Sequence, residues 1–177
     1  QYFNATLDPA SDLLRAAPDV LVLAPDHRAL GLRAWSDSPA ADVAAEADRW
    51  SGVWEAVRRV ATPVIVQLGF AAPGGDPLGH HGAGHPGARR SQTAALNAAL
   101  AGRAVAADVG FVDVARLAAR AGEAAWFDPR GWYMAKIPYG PAALPELARH
   151  TAAVLAARLG LSRRVVVLDL DNTLWGG

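Results

Sequence analysis

The fold class follows first from the stretch Asp19-Val20-Leu21-Val22-Leu23-Ala24, which Pro18 introduces and Pro25 ends. A short run of large aliphatic residues between two prolines is typical of a strand that is buried on both faces of a parallel sheet. Comparable runs follow at Pro63–Gly69 and Gly110–Val114. We therefore predict a strand in each of these three places.

Segments with helical periodicity separate the predicted strands. Ser38 and Pro39 are typical of a helix start. Apolar residues then recur at helical spacing from Val43 to Val60, with Trp50 and Trp54 on the predicted core face. Further helices are predicted at Arg89–Val105, with Leu96 and Leu100 toward the core, from Asp113 to Gly122, and from Pro141 to Gly160. Because strands and helices alternate, we expect right-handed crossovers and an α/β fold, namely a three-layer sandwich with a mostly parallel sheet.

The composition excludes several classes of protein. The chain has 177 residues, is 52% hydrophobic and carries a formal net charge of zero, which is enough for one domain with a substantial core. It contains no cysteine, which rules out a disulfide framework and thiolate chemistry. Scattered arginines argue against a nucleic-acid partner, and no segment reaches the roughly 18 apolar residues of a membrane span. We expect a cytoplasmic protein.

The most specific chemical pattern lies at the end of the chain. Val165–Leu168 has the pattern of another buried strand, and Asp169, Asp171 and Thr173 follow it at a spacing of two residues. Residues two apart in an extended segment point the same way. Both carboxylates can therefore approach one phosphate group or one metal ion.

The string Leu168-Asp169-Leu170-Asp171-Asn172-Thr173-Leu174-Trp175-Gly176-Gly177 resembles the first motif of the haloacid dehalogenase (HAD) superfamily of phosphoryl-transfer enzymes. More narrowly, it resembles the start of the catalytic domain in the FkbH-like family. The resemblance implies that Asp169 is the nucleophile and a Mg²⁺ ligand. It implies that Asp171 is the general acid and base, with its backbone carbonyl on the metal, and that Thr173 binds the substrate phosphate.

The sequence divides near residue 160, where Leu161-Ser162-Arg163-Arg164 forms a short hinge. Residues 1–160 resemble the SGNH-hydrolase-like, flavodoxin-like domain that precedes the HAD domain in FkbH-like proteins. The marks of this resemblance are Tyr2–Pro9, Val20–Leu30, Leu96–Leu100, Phe127–Arg130 and Ala135–Tyr139. The resemblance implies that residues 161–177 are a linker with the first strand and motif of a truncated HAD domain. It also implies a first strand before Gln1, so we expect a fragment cut at both ends and no phosphoryl transfer by these 177 residues alone.

Two positions depart from the SGNH pattern. An SGNH hydrolase needs an asparagine after a strand as an oxyanion donor, and an Asp-x-x-His pair before its last helix. Asp26 stands where the asparagine belongs, and a carboxylate there would repel an oxyanion. Gly131 stands three residues after Asp128, where the histidine belongs. Both departures argue against hydrolase activity.

Four polar residues near the predicted strand ends are candidates for a pocket: Asp26, His27, Asp128 and Lys136. Lys136 could pair with Asp128 or contact a ligand phosphate. The predicted loop 126–140 is rich in aromatic residues, which could line that pocket or fold over the core.

Three histidines lie in the glycine-rich segment that follows the second predicted strand: His80, His81 and His85. They could gather around a metal ion. A loop without a rigid frame or a carboxylate ligand favours a solvated segment instead.

The resemblance implies a function for the parent protein. It would remove phosphate from 1,3-bisphosphoglycerate with Mg²⁺ and load the glyceryl unit onto the phosphopantetheine thiol of an acyl carrier protein, for polyketide or related biosynthesis. The first domain would contribute carrier or substrate binding. Two alternatives stay open for that domain: an SGNH-type esterase or acyltransferase, and a non-catalytic interaction module.

Overall fold

The computed structural model describes residues 2–8, 10–75 and 77–162. Three strands, β1 (Val20–Leu23), β2 (Val64–Leu68) and β3 (Gly110–Val112), form a parallel sheet in the order β1-β2-β3. The helices of the described residues are α1 (Tyr2–Leu7), α2 (Asp12–Arg15), α3 (Pro39–Val60), α4 (Arg89–Ala106), α5 (Val114–Ala121), α6 (Glu123–Trp126), α7 (Pro129–Ala135) and α8 (Leu144–Arg158). The predicted strands and the two long helices after β1 and β2 are confirmed. The expected burial on both faces is wrong for β1, whose Val22 is 40% exposed, because β1 lies at the edge of the described sheet.

Helices cover both faces of the sheet. Ile65 of β2 is buried in a cluster with residues of α3 and α4. Its neighbours Val66 and Leu68 are buried in a second cluster, with residues of α5 and α8. Because alternate residues of one strand enter two separate cores, the predicted three-layer α/β sandwich is confirmed.

The core side of α3 carries the predicted tryptophans. Trp50 and Trp54 are both fully buried. The Trp54 indole nitrogen donates a 3.1 Å hydrogen bond to Oε1 of Gln67, a polar residue that is itself buried in the central strand. Nε2 of Gln67 donates to the carbonyl of Leu68 at 2.9 Å. The pair satisfies its polar groups inside the core and joins α3 to β2.

Two predicted boundaries were wrong. The segment 126–140 was expected to be a loop, yet it contains α7, which begins at Pro129 because proline is pre-organised for the first turn of a helix. The last helix begins at Leu144 and not at Pro141. Pro145 lacks the N–H that would bond back to residue 141, so a regular helix that started at Pro141 would lose this hydrogen bond.

The terminal strand predicted at 165–168 lies outside the described residues, as do Asp169, Asp171 and Thr173. Within the described ranges, no helix is long and apolar enough to cross a lipid bilayer.

Candidate functional site

A cleft of about 840 Å³ opens beside the carboxyl end of β1. Ligands of parallel α/β sheets bind at this edge, because the loops that follow the strands converge there. The cleft is lined by Ala5, Ala24, Asp26, Arg28, Ala29, Arg49, Trp132, Lys136, Pro138 and Tyr139. Three cations and one carboxylate therefore face a space that is otherwise largely apolar.

Asp26 organises the turn that follows β1. Its Oδ1 accepts a 2.9 Å hydrogen bond from the backbone N–H of Arg28, which caps the 3₁₀ turn His27–Ala29. Its Oδ2 lies 2.5 Å from Nη1 of Arg28, and the carboxylate is almost completely buried. Both oxygens of the Asp26 carboxylate are thus used within the turn, where they hold the Arg28 guanidinium at the cleft wall.

Trp132 of α7 brings two cations together. The Arg28 guanidinium carbon lies 4.1 Å from the centre of the indole ring, and Nζ of Lys136 lies 5.3 Å from it. Both distances are in the range of cation–π attraction. Lys136 forms no ion pair with Asp128, the partner that the sequence suggested. Its ammonium group instead faces the cleft next to the indole.

The backbone at Lys136 is left-handed, with φ of 57°, directly after the last turn of α7. Its N–H still bonds to the carbonyl of Trp132, which closes the helix. A non-glycine residue pays about 1 kcal/mol or more for this conformation, so the surrounding contacts must hold it there. This left-handed turn at the end of α7 directs the Lys136 side chain toward the Trp132 ring.

Arg49 reaches the cleft from α3 and was not identified from the sequence. Its Nη2 donates to the Ala29 carbonyl at 2.8 Å and pairs with Glu46, a buried carboxylate. Glu46 also accepts from the Trp50 indole nitrogen at 3.0 Å. The sequence could have indicated the ion pair, because Glu46 and Arg49 are three residues apart on a helix beside Trp50. It could not have indicated the bond from Arg49 to the Ala29 carbonyl, because that contact depends on the tertiary fold.

Tyr139 fastens the aromatic segment to the sheet. Its hydroxyl donates a 3.0 Å hydrogen bond to the Pro25 carbonyl, and its backbone pairs with Phe127 in an isolated antiparallel bridge. Tyr139 and Trp126 are buried, whereas Tyr133 is 80% exposed. The sequence left open whether the segment 126–140 lines a pocket or folds over the core. In the structure it does both.

His27 lies next to the cleft and lines a smaller cavity of about 370 Å³ with Arg28 and Arg89. Its ring packs edge-on against Phe127, with the ring centres 5.1 Å apart. Burial lowers the pKa of His27, and the neighbouring Arg28 and Arg89 lower it further, against an opposing effect of Asp26. The imidazole is therefore neutral at physiological pH.

Asp128 is not among the described residues that line either cavity. It packs against Gly131 so closely that a Cβ added to the glycine would lie 2.5 Å from Asp128 Oδ2. A larger residue at position 131 would require the Asp128 side chain to move.

The part of the chain that the structure describes brings together no group of three or more histidine, cysteine, aspartate or glutamate side chains that could hold a metal ion. The metal ligands expected from the resemblance, Asp169 and Asp171, lie outside that part. Of the four candidate pocket residues, Asp26 and Lys136 face the same cleft, and His27 faces its neighbour.

Comparison with solved structures finds the same fold. The match is the crystal structure of the N-terminal part of the protein BF1531 from Bacteroides fragilis, containing phosphatase domain complexed with Mg, with a TM-score of 0.77 and 21% sequence identity. This likeness shows the fold. The match covers 98% of the present chain and 46% of that chain, so the present chain spans less than half of the matched structure. No protein-family model and no curated protein matches the sequence.

Proposed function

We propose that residues 1–160 form the ligand-binding domain of a larger phosphoryl-transfer enzyme, and that the cleft beside β1 binds the phosphopantetheine arm of an acyl carrier protein. The observation that carries this proposal is the pair of cations on Trp132. Arg28 is neutralised by Asp26, whereas Lys136 has no carboxylate partner among the described residues. The cleft wall therefore keeps an uncompensated positive charge, which suits a phosphate group.

The shape of the cleft favours a long ligand over a small one. Its volume of about 840 Å³ lies in the upper part of the range for sites that take drug-sized ligands. The walls away from the cations are formed by alanines, Pro138 and Tyr139. A phosphate with a long, mostly uncharged body matches this distribution better than a three-carbon phosphate does.

For the parent protein we propose Mg²⁺-dependent removal of phosphate from 1,3-bisphosphoglycerate and transfer of the glyceryl unit to the carrier thiol. Asp169 would attack the 3-phosphoryl group, Asp171 would give a proton to the leaving C3 oxygen, and Thr173 would donate a hydrogen bond to the phosphate, after which water would release phosphate from Asp169. The carrier thiolate would attack the C1 acyl carbon and displace the 1-phosphate, which gives the glyceryl thioester and inorganic phosphate. Carboxylate and carbonyl oxygens are the ligands that Mg²⁺ prefers, so this donor set fits the ion. When bound, Mg²⁺ supplies charge neutralisation on the phosphoryl oxygens. The phosphatase domain and Mg named for the matched structure support this proposal.

The cleft is tested by calorimetric titration of the 177-residue chain with pantetheine 4′-phosphate. We expect saturable binding that Lys136→Gln weakens about tenfold or more, because a charge-assisted contact is lost. The matched control is Arg130→Gln, which removes the same charge from an exposed position outside the cleft lining. Equal loss in both variants would indicate non-specific attraction and would reject the cleft as the site. Binding of 3-phosphoglycerate in preference to pantetheine phosphate would assign the cleft to the small substrate.

A second candidate function, ester or thioester hydrolysis, is favoured by His27. This neutral imidazole has an Nδ1 atom that is buried without a hydrogen-bond partner in the described structure. However, no serine, threonine or cysteine is among the described residues that line either cavity. Turnover of p-nitrophenyl esters that His27→Gln abolishes would select this function over binding.

A further inference from the structure

The turn Gly79–Gly84 and the residue after it bring two imidazole rings together, away from the cleft. Nε2 of His81 lies 3.1 Å from Nε2 of His85, and the ring centres are 4.5 Å apart. Both side chains are at least partly accessible to solvent. In the structure this contact is a hydrogen bond between the two rings, and its length is also close to the separation of two nitrogen ligands on one metal ion.

We propose that His81 and His85 form a chelating site for a divalent transition metal of the Cu²⁺, Ni²⁺ or Zn²⁺ class. Metal–nitrogen distances of about 2.0–2.1 Å place two cis nitrogen ligands about 2.9 Å apart at a right angle and about 3.4 Å apart at the tetrahedral angle. The observed 3.1 Å lies between these values. Neutral imidazole suits these borderline metals, whereas Mg²⁺ and Ca²⁺ prefer oxygen ligands.

Backbone hydrogen bonds give the pair the frame that the sequence alone did not indicate. The His81 N–H bonds to the Leu78 carbonyl and the His85 N–H to the Gly82 carbonyl, both at 3.1 Å. The His85 carbonyl in turn accepts from Ala88 at 3.1 Å, directly before α4 begins. The backbone that carries the two rings is therefore held by a hydrogen-bonded turn that is continuous with a long helix.

A second set of contacts fixes the base of this turn. The Ser36 N–H donates a 2.9 Å hydrogen bond to the Gly87 carbonyl, and a Cβ on Gly87 would lie 2.2 Å from the Ser36 carbonyl oxygen. The close approach of the two backbones requires glycine at position 87. The histidine pair is thus tied to the start of α3 as well as to α4.

The site has two protein ligands and open positions. Within residues 2–8, 10–75 and 77–162, no third histidine or carboxylate joins the pair. Water or a donor from another molecule would complete the coordination shell. An open site of this kind exchanges its metal readily and can be occupied reversibly.

Trp35 provides a local optical probe. Its ring packs against His85 at a centroid distance of 5.7 Å, and its side chain is 44% exposed. Because Cu²⁺ and Ni²⁺ quench nearby indoles, metal bound at the pair should quench Trp35. Trp35→Phe should remove this quenching and leave the calorimetric affinity unchanged.

The test is a calorimetric titration of the chain, prepared without a polyhistidine tag, with Cu²⁺ and Ni²⁺. We expect one equivalent to bind, and His81→Asn or His85→Asn to weaken it at least about tenfold, since even removal of groups that only orient a ligand has effects of that size. His80→Asn, in the same turn, is the matched control and should leave the affinity within twofold. Circular dichroism checks that each variant is folded.

Three results would overturn the proposal. They are the absence of binding tighter than millimolar, binding that survives the double variant His81→Asn/His85→Asn, and a loss in His80→Asn equal to that in His81→Asn. Either of the last two results would show that the metal binds to histidines other than the His81–His85 pair, or to all of them without preference.

Discussion

The Arg28 guanidinium lies 4.1 Å from the centre of the Trp132 ring. This contact joins the turn after β1 to α7, two segments that are about a hundred residues apart in the sequence. It also places Arg28 and Lys136 on one aromatic surface at the wall of the cleft. The positions of these two cations at the cleft wall therefore depend on a single indole.

Removing the Trp132 indole should lower the affinity for the ligand and have only a small effect on the stability of the fold. Trp132→Ala deletes both cation–π contacts and part of the cleft wall, so we expect affinity for pantetheine 4′-phosphate to fall about fivefold or more. Trp132 is only partly buried, which limits the cost in stability. Tyr133→Ala, at the neighbouring 80%-exposed position, is the control and should bind as the unmodified chain does. Calorimetry measures both variants.

The close approach of Gly140 to the backbone of Ala125 predicts a destabilising substitution. Gly140→Ala would place a methyl group 2.4 Å from the Ala125 carbonyl oxygen, a backbone atom that cannot rotate away, and we expect the free energy of unfolding to fall by about 1–3 kcal/mol. Urea denaturation measures each free energy.

A second glycine gives the opposite expectation and serves as the control for the first. Gly102 lies on the exposed side of α4, and a Cβ added there would meet no atom within 4 Å. Gly102→Ala should raise the free energy of unfolding by about 0.5–1 kcal/mol, since alanine favours the helix. If both glycine variants changed stability equally, the close approach at Gly140 would be wrong.

The buried hydrogen bond between Trp54 and Gln67 should make the effects of substituting the two residues on the free energy of unfolding non-additive. Gln67→Leu leaves the Trp54 indole nitrogen buried without an acceptor, which should cost about 1–3 kcal/mol. Adding Trp54→Phe removes that unsatisfied donor and should return part of the loss. A double-mutant cycle in urea measures the coupling, and strictly additive effects would contradict the hydrogen bond.

His27 should give the domain a specific dependence on pH. Because its pKa is lowered in the folded state from the ordinary 6.5, the unfolded chain binds more protons between the two values. Stability contributed by neutral His27 is therefore complete above pH 6.5 and is lost as the pH falls toward the lowered pKa. His27→Gln should flatten the difference in unfolding free energy between pH 7.5 and pH 5. An unchanged difference would show that His27 does not contribute.

Much of the scaffold could be predicted from local pattern. The aliphatic run around Leu21 predicted a strand, and the spacing of Trp50 and Trp54 predicted a buried helix face, because strands and helices have fixed periods. Burial of β1 on both faces was not correctly predicted, since Val22 is 40% exposed. α7 was missed since its long apolar residues, such as Tyr133 and Met134, are exposed and so give no amphipathic period. Only the local Asp128-Pro129 pair marked its start.

The site was less predictable than the scaffold because its contacts join distant parts of the chain. Lys136 was a candidate from its type and loop, yet its neighbour on the indole, Arg28, could be found only in the folded structure. Arg49 enters the cleft through a bond to the Ala29 carbonyl, 20 residues away. The spacing of His81 and His85 was visible, but their 3.1 Å approach depends on the turn between them.

The most direct measurement is intact-mass spectrometry of a holo acyl carrier protein incubated with 1,3-bisphosphoglycerate, Mg²⁺ and the full-length parent protein. We predict a glyceryl-sized mass gain that Asp169→Asn abolishes. Lys136→Gln should slow the gain at limiting carrier concentration and recover at saturating carrier, because it weakens binding and leaves the chemistry intact. The absence of any gain with the unmodified parent would contradict the proposed reaction. A gain that Lys136→Gln leaves unchanged at every carrier concentration would contradict the role of the cleft.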